Sequence, residues 1–119
     1  MEKQLKILLL EDDKHDIFLF KNELTANGIN HELLVTQSKK ELIALLSSTE
    51  FDVVVSDFTV PEFNGLEALS IVKEKAPETS FIILTGSVNE ETAVACIKAG
   101  ADDYILKHHL KRIVPTMNV

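Results

Sequence analysis

Tryptophan is absent from this 119-residue chain, cysteine occurs once and aromatic residues make up only 6%. That poverty leaves no broad aromatic surface for stacking bases or sugars. The single cysteine, Cys96, can form neither an intrachain disulfide nor a cysteine metal cluster, which fits a reducing compartment. Long hydrophobic runs are also missing: the first, Ile7 to Leu10, ends at Glu11 and is too short for a secretory signal or a membrane span. A cytoplasmic location with no membrane partner is therefore expected. Positive charge is in deficit, 12 Lys and Arg against 19 Asp and Glu, for a net charge of -7. The electrostatic footprint of a nucleic-acid binder is lacking, so no direct nucleic-acid partner is expected.

What is present is an ordinary apolar fraction, 45%, in a chain long enough to bury a core without staples. Short apolar runs recur at Lys6–Leu10, Glu32–Thr36, Asp52–Val55, Phe81–Leu84 and Asp103–Leu106. Most lack alternation, the pattern of strands covered on both faces of a parallel sheet. Helical spacing fills the gaps. Ile17, Phe20 and Leu24 predict a first helix that Gly28 can end. Ser38 and Glu41 form a capping box ahead of Leu42, Leu45 and Leu46. Leu66, Leu69 and Val72 mark a third helix, stopped before Pro77. Asn89 can cap a fourth, with Ala93, Cys96 and Ile97 inward and Gly100 after it. A fifth starts near His108 or His109, carries Leu110, Ile113 and Val114, and is interrupted by Pro115. Five β-α units predict an α/β fold and one domain over residues 1–119. The broken fifth helix raises the expectation that the segment is cut from a longer protein.

Functional groups of open α/β sheets collect at the carboxyl ends of the strands. There the chain places Glu11, Asp12 and Asp13 after the first strand, Asp57 after the third, Thr85, Gly86 and Ser87 after the fourth, and Lys107 after the fifth. Clustered carboxylates repel one another and call for a cation, and oxygen donors with room for phosphate select a hard ion such as Mg²⁺. A lysine and a hydroxyl can each hold a phosphoryl oxygen, and one remaining carboxylate can serve as an aspartyl nucleophile.

Taken in order, Leu10-Glu11-Asp12-Asp13, Asp57 after Val53-Val54-Val55-Ser56, Pro61 to Gly65, Thr85-Gly86 and Asp102 to Lys107 resemble a response-regulator receiver domain of two-component signalling over nearly the whole chain. The resemblance implies a flavodoxin-like, doubly wound, five-stranded parallel sheet in the order 2-1-3-4-5 with five helices. It implies Mg²⁺-dependent phosphorylation of Asp57 by a histidine kinase or phosphotransfer protein, switching a surface used by a downstream output domain or protein. Asp12, Asp57 and the backbone carbonyl of Thr59 would hold the metal, with Glu11 acting through water. Thr85 and Lys107 would bind the phosphoryl group, and Tyr104 would be the aromatic switch that moves with Thr85. The face of the fourth helix, fifth strand and fifth helix would carry dimerisation or output.

The chain departs from the family pattern at His108, where receivers usually have proline after the lysine. A cis peptide before a non-proline residue costs about 2.5–4 kcal/mol, so either the site holds that strain or Lys107 approaches along another path. Thr59 and Val60 replace a more common apolar pair, and Thr59 with Ser87 is expected to tune the phosphoryl lifetime. Plainer roles stand beside these. Asp13 reads as a helix cap, Ser87 as a cap acting through Glu90, Cys96 as core, and His15 and His31 as solvated. Neighbours on a helix face apart, so His108 and His109 read as a poor chelating pair. Two other functions stay open: a degenerate receiver that binds partners without phosphorylation, and a Mg²⁺-dependent phosphatase with an aspartyl nucleophile. The second wants an acid two residues after the nucleophile, where this chain has Thr59.

Overall fold

Five strands form one parallel sheet: β1 (Leu5–Leu10), β2 (His31–Thr36), β3 (Val53–Ser56), β4 (Ser80–Thr85) and β5 (Asp103–Leu106), in the order β2-β1-β3-β4-β5. The structure, a computed structural model, describes residues 3–87 and 89–117. Alternate residues of each strand go to opposite faces, and both faces are covered. Leu8, Leu10, Val54, Phe81 and Ile83 pack with Leu42 and Leu46 of α2 (Lys39–Ser48), Ala68, Leu69 and Val72 of α3 (Gly65–Lys75), and Cys96 of α4 (Glu90–Lys98). Ile7, Leu9, Val53, Val55, Ile82, Leu84 and Ile105 pack with Phe20 and Leu24 of α1 (Lys14–Ala26) and Ile113 of α5 (Ile113–Thr116). Burial on both faces is why the strand sequences do not alternate. Each fully buried Leu, Ile or Val side chain contributes about 1.5–3 kcal/mol.

Four helices start in one way. The side chains of Asp13, Ser38, Asn64 and Asn89 accept the backbone N–H three residues on, at 2.9–3.2 Å. Such caps stabilise a helix by about 0.5–2 kcal/mol each. Gly28 comes after α1 with φ +68°, the left-handed geometry expected of a helix stop. Gly65 opens α3 so close to its surroundings that a Cβ would lie 2.8 Å from Ile83 Cδ1 and 3.2 Å from Phe58 Cα.

The structure corrects several details. The loop after β3 contains a hairpin of two-residue strands, Thr59–Val60 against Phe63–Asn64. α4 has nine residues and buries a narrow stripe, so Cys96 is inside while Ile97, a 100° turn away, is 46% exposed. Asn89 caps α4 in place of Ser87. The fifth helical segment starts as a 3₁₀ turn, Lys107–Arg112, before α5. Pro115 lies within the four residues of α5 and does not end it. His31 is half-buried with Nδ1 2.8 Å from the Ile29 carbonyl, whereas His15 is exposed.

Candidate functional site

The carboxyl edge of the sheet is built by backbone register. Leu10 pairs with Ser56, and the Asp57 N–H donates to the Leu10 carbonyl at 2.9 Å. The ends of β1 and β3 therefore lie side by side, and the residues just beyond them must meet. Carboxylate oxygens of Glu11, Asp12 and Asp57 lie within 4.8 Å of one another. Glu11 is 2% exposed, and its Oε2 is fixed by the Asp13 N–H at 3.1 Å. Asp12 is exposed and the Asp57 side chain is 14% exposed. Buried Ser56 donates its hydroxyl to the Asp57 carbonyl at 2.7 Å, holding the backbone at the centre of the cluster.

Across this cluster lies Lys107. Thr85 at the end of β4 is buried and pairs with Leu106, the residue before Lys107. Lys107 Nζ is 2.8 Å from Glu11 Oε1, 3.0 Å from Asp57 Oδ2 and 2.6 Å from Asp16 Oδ2. Burial alone would lower the lysine's affinity for its proton, but the hydrogen bonds to Asp16, Glu11 and Asp57 outweigh it and raise its pKa. Burial raises the Glu11 pKa, against the opposing pull of Lys107 and the Asp13 N–H. The pocket is short of positive charge: four carboxylates meet one ammonium.

Among the described residues no peptide bond is cis. Lys107 thus takes the alternative path, leading directly into the 3₁₀ turn and still reaching Asp57. Nothing in the sequence singles out Asp16. An acid in the first turn of a helix is favoured by the helix dipole, so its presence carries no signal of contact with a lysine 91 residues away. Ser56, too, reads in sequence only as part of a strand.

Tyr104 is half-buried, its hydroxyl donates to the Ser87 carbonyl at 3.3 Å, and burial raises its pKa. That bond ties β5 to the loop after β4. Thr59 and Ser87 are both exposed at the rim. The structure also brings His108 and His109 together, with ring centroids 4.2 Å apart. The non-helical backbone at His109 (φ -113°, ψ 37°) turns the two rings to one side, contrary to the helical expectation.

Three hard oxygen donors at this separation fit a divalent ion of the Mg²⁺ type. Residues 7–117 match the response regulator receiver domain family. The chain belongs to that family. This receiver domain is 34% identical over 101 residues to the response regulator SaeR of Staphylococcus aureus strain USA300, covering 84% of the chain and 43% of SaeR. It therefore spans less than half the length of that curated relative. Its fold is similar to a receiver domain protein of Clostridium thermocellum (TM-score 0.82, 28% identity, 96% of this chain and 91% of that one). It is also similar to the phosphorylated cyanobacterial phytochrome response regulator RcpA (TM-score 0.80, 25% identity, 94% and 89%). The domain is a signalling module of two-component systems, and its acidic cluster is compatible with a phosphorylation site. Among the described residues, no helix is long and apolar enough to cross a membrane.

Proposed function

We propose that residues 1–119 form one receiver domain that accepts a phosphoryl group on Asp57 from a histidine kinase or phosphotransfer protein in the cytoplasm. The observation that carries this reading is the Asp57 carboxylate, 14% exposed, with Lys107 Nζ 3.0 Å away and the carboxylates of Glu11 and Asp12 beside it. An Asp57 oxygen attacks phosphorus, the bond from phosphorus to the donor's nitrogen breaks, and the electron pair leaves with the donor. The product is an acyl phosphate. Asp12, Asp57 and the Thr59 carbonyl would hold Mg²⁺, with Glu11 acting through water, and the ion would neutralise charge on the phosphoryl oxygens. Lys107 supplies a second positive charge and Thr85 a hydroxyl donor.

Loss of Lys107 from Asp57 to the phosphoryl oxygens, together with movement of Thr85, changes the space beside Tyr104. The Tyr104–Ser87 bond then passes the change to the loop before α4. The face of α4, β5 and α5, where Val94 and Ile97 are 51% and 46% exposed, is the surface for output or for a homodimer. Thr59 and Ser87 flank the approach of hydrolytic water, and Thr59→Met is expected to change the dephosphorylation rate. The chain acts as a phosphoacceptor rather than a turnover enzyme, because Thr59 cannot supply the acid that a phosphatase of this type needs.

The test is titration with beryllofluoride, a mimic of an aspartyl phosphate, in Mg²⁺, monitored by NMR. Shifts at Asp57, Thr85 and Tyr104 that vanish in Asp57→Asn are the expected result. Silence of the wild-type chain at millimolar Mg²⁺ would move the reading to a receiver that works without phosphorylation.

A further inference from the structure

Asp16 makes the shortest of the three ion pairs at Lys107, 2.6 Å, yet it stands outside the trio of carboxylates able to share a cation. It sits on the first turn of α1, where its own N–H is held by the Asp13 side chain at 3.0 Å. Its side chain is 27% exposed and that of Lys107 20% exposed, so the pair lies at the rim of the pocket and not in bulk water. An ammonium has three donors. In this structure they are shared among Glu11, Asp16 and Asp57.

Once a divalent cation draws on the carboxylates of Glu11, Asp12 and Asp57, two of the three partners of Lys107 are engaged elsewhere. Like charges also repel the ammonium from the ion. Asp16 is the partner that remains, and it is anchored to a capped helix rather than to a loop.

We propose that Asp16 is a positioning residue for Lys107. It retains the ammonium at the pocket rim when the other carboxylates turn to the metal, leaving the remaining donors free for the phosphoryl oxygens. This rests on the phosphoacceptor reading above. It also accounts for how Lys107 is held when its chain continues into a 3₁₀ turn at His108. The sequence departure after Lys107 and the acid on α1 meet at the same ammonium.

The test is beryllofluoride affinity in excess Mg²⁺ for wild type, Asp16→Asn, Asp16→Glu, Lys107→Met and Asp16→Asn/Lys107→Met, with folding confirmed by NMR. Asp16→Asn is expected to weaken binding by about fivefold, the scale of a partly exposed ion pair. It should have no effect in the Lys107→Met background. An unchanged affinity for Asp16→Asn, or an equal loss in both backgrounds, overturns the proposal. If Lys107→Met binds too weakly to measure, Asp16→Glu decides. Recovery to within about twofold of wild type supports a charge that positions Lys107, on the same ion-pair scale, and weakness equal to Asp16→Asn overturns it. A wild-type chain that binds nothing would sink the phosphoacceptor reading itself, which separates the two failures.

Discussion

Carboxylates at the two ends of the sheet meet opposite fates. At the amino end, Asp52 precedes β3 and its Oδ2 accepts the Lys6 N–H at 2.8 Å, while its own N–H donates to the Lys6 carbonyl at 2.8 Å. Asp102 precedes β5 and repeats this clamp on Phe81, again with two bonds of 2.8 Å. Each acid there has a backbone partner, and Lys3 pairs with Asp52 as well. At the carboxyl end, Glu11, Asp16 and Asp57 share one lysine beside Asp12. One end uses its acids up in holding strands together. The other leaves them short of positive charge, which is the condition for recruiting a cation. The difference separates acids that hold strands together from acids that face a shared pocket.

The largest expected break in this contrast is Lys107→Met. It leaves Glu11, whose side chain is 3% exposed, beside two more carboxylates without a counter-charge. Removing one partner of a buried pair costs several kcal/mol. Because Lys107 itself keeps 20% of its side chain exposed, a loss of about 2–4 kcal/mol is expected in urea unfolding with a chelator present. Millimolar Mg²⁺ should recover part of that loss. A variant as stable as wild type without metal would show that the pocket is not short of positive charge.

At the other end, Asp52→Ala and Asp102→Ala should each cost about 1–2 kcal/mol, the worth of a clamping bond to a backbone N–H near the start of a strand. Neither should alter beryllofluoride affinity in Mg²⁺. A change in affinity would mean that the two ends of the sheet are coupled.

Much of this was legible in sequence, for reasons that can be named. The strands announced themselves because both faces of the sheet are buried, so Val53-Val54-Val55 and Phe81-Ile82-Ile83 needed no polar side. Ser38 and Asn89 cap their helices as expected, because a cap depends on residues only three apart. Glu11, Asp57 and Lys107 meet because parallel strands deliver the residues after them to one edge. The features hidden from sequence depend on side-chain paths between distant segments. Asp16 reaches Lys107 through the packing of α1 against the 3₁₀ turn, and Asp52 and Asp102 look like ordinary loop acids until the neighbouring strand is in place. The meeting of His108 and His109 required a departure from helical geometry that helical periodicity cannot express.

A smaller effect sharpens the contrast by adding the missing charge. If Mg²⁺ binds with a dissociation constant near 1 mM, 10 mM of the ion stabilises the fold by about 1.4 kcal/mol through mass action. Thermal unfolding should show that rise in wild type, and Asp12→Asn should abolish most of it. Without metal, the same variant should be no less stable than wild type, since it relieves repulsion in the cluster. A metal-dependent rise that survives in Asp12→Asn would place the ion elsewhere.

The smallest effect is a matter of sign. Burial would push the Asp52 pKa up, but the Lys6 N–H and the Lys3 ammonium prevail and hold it below the ordinary carboxylate value. The unfolded chain therefore takes up that proton first. The stability it contributes is present above about pH 3.9 and is lost as pH falls through the lower folded value. Glu11 runs the other way. Burial lifts its pKa, so the folded chain holds the proton more tightly, and stability is lost as pH rises upward from the ordinary glutamate range. With a chelator present, the advantage of wild type over Asp52→Asn should shrink on acidification, on a scale below about 1 kcal/mol. The stability of Glu11→Gln relative to wild type should improve as pH rises through the same region. Urea midpoints measured from pH 3 to 7 test both, and two curves of the same slope would erase the distinction between the acids that hold the sheet and the acids that face its pocket.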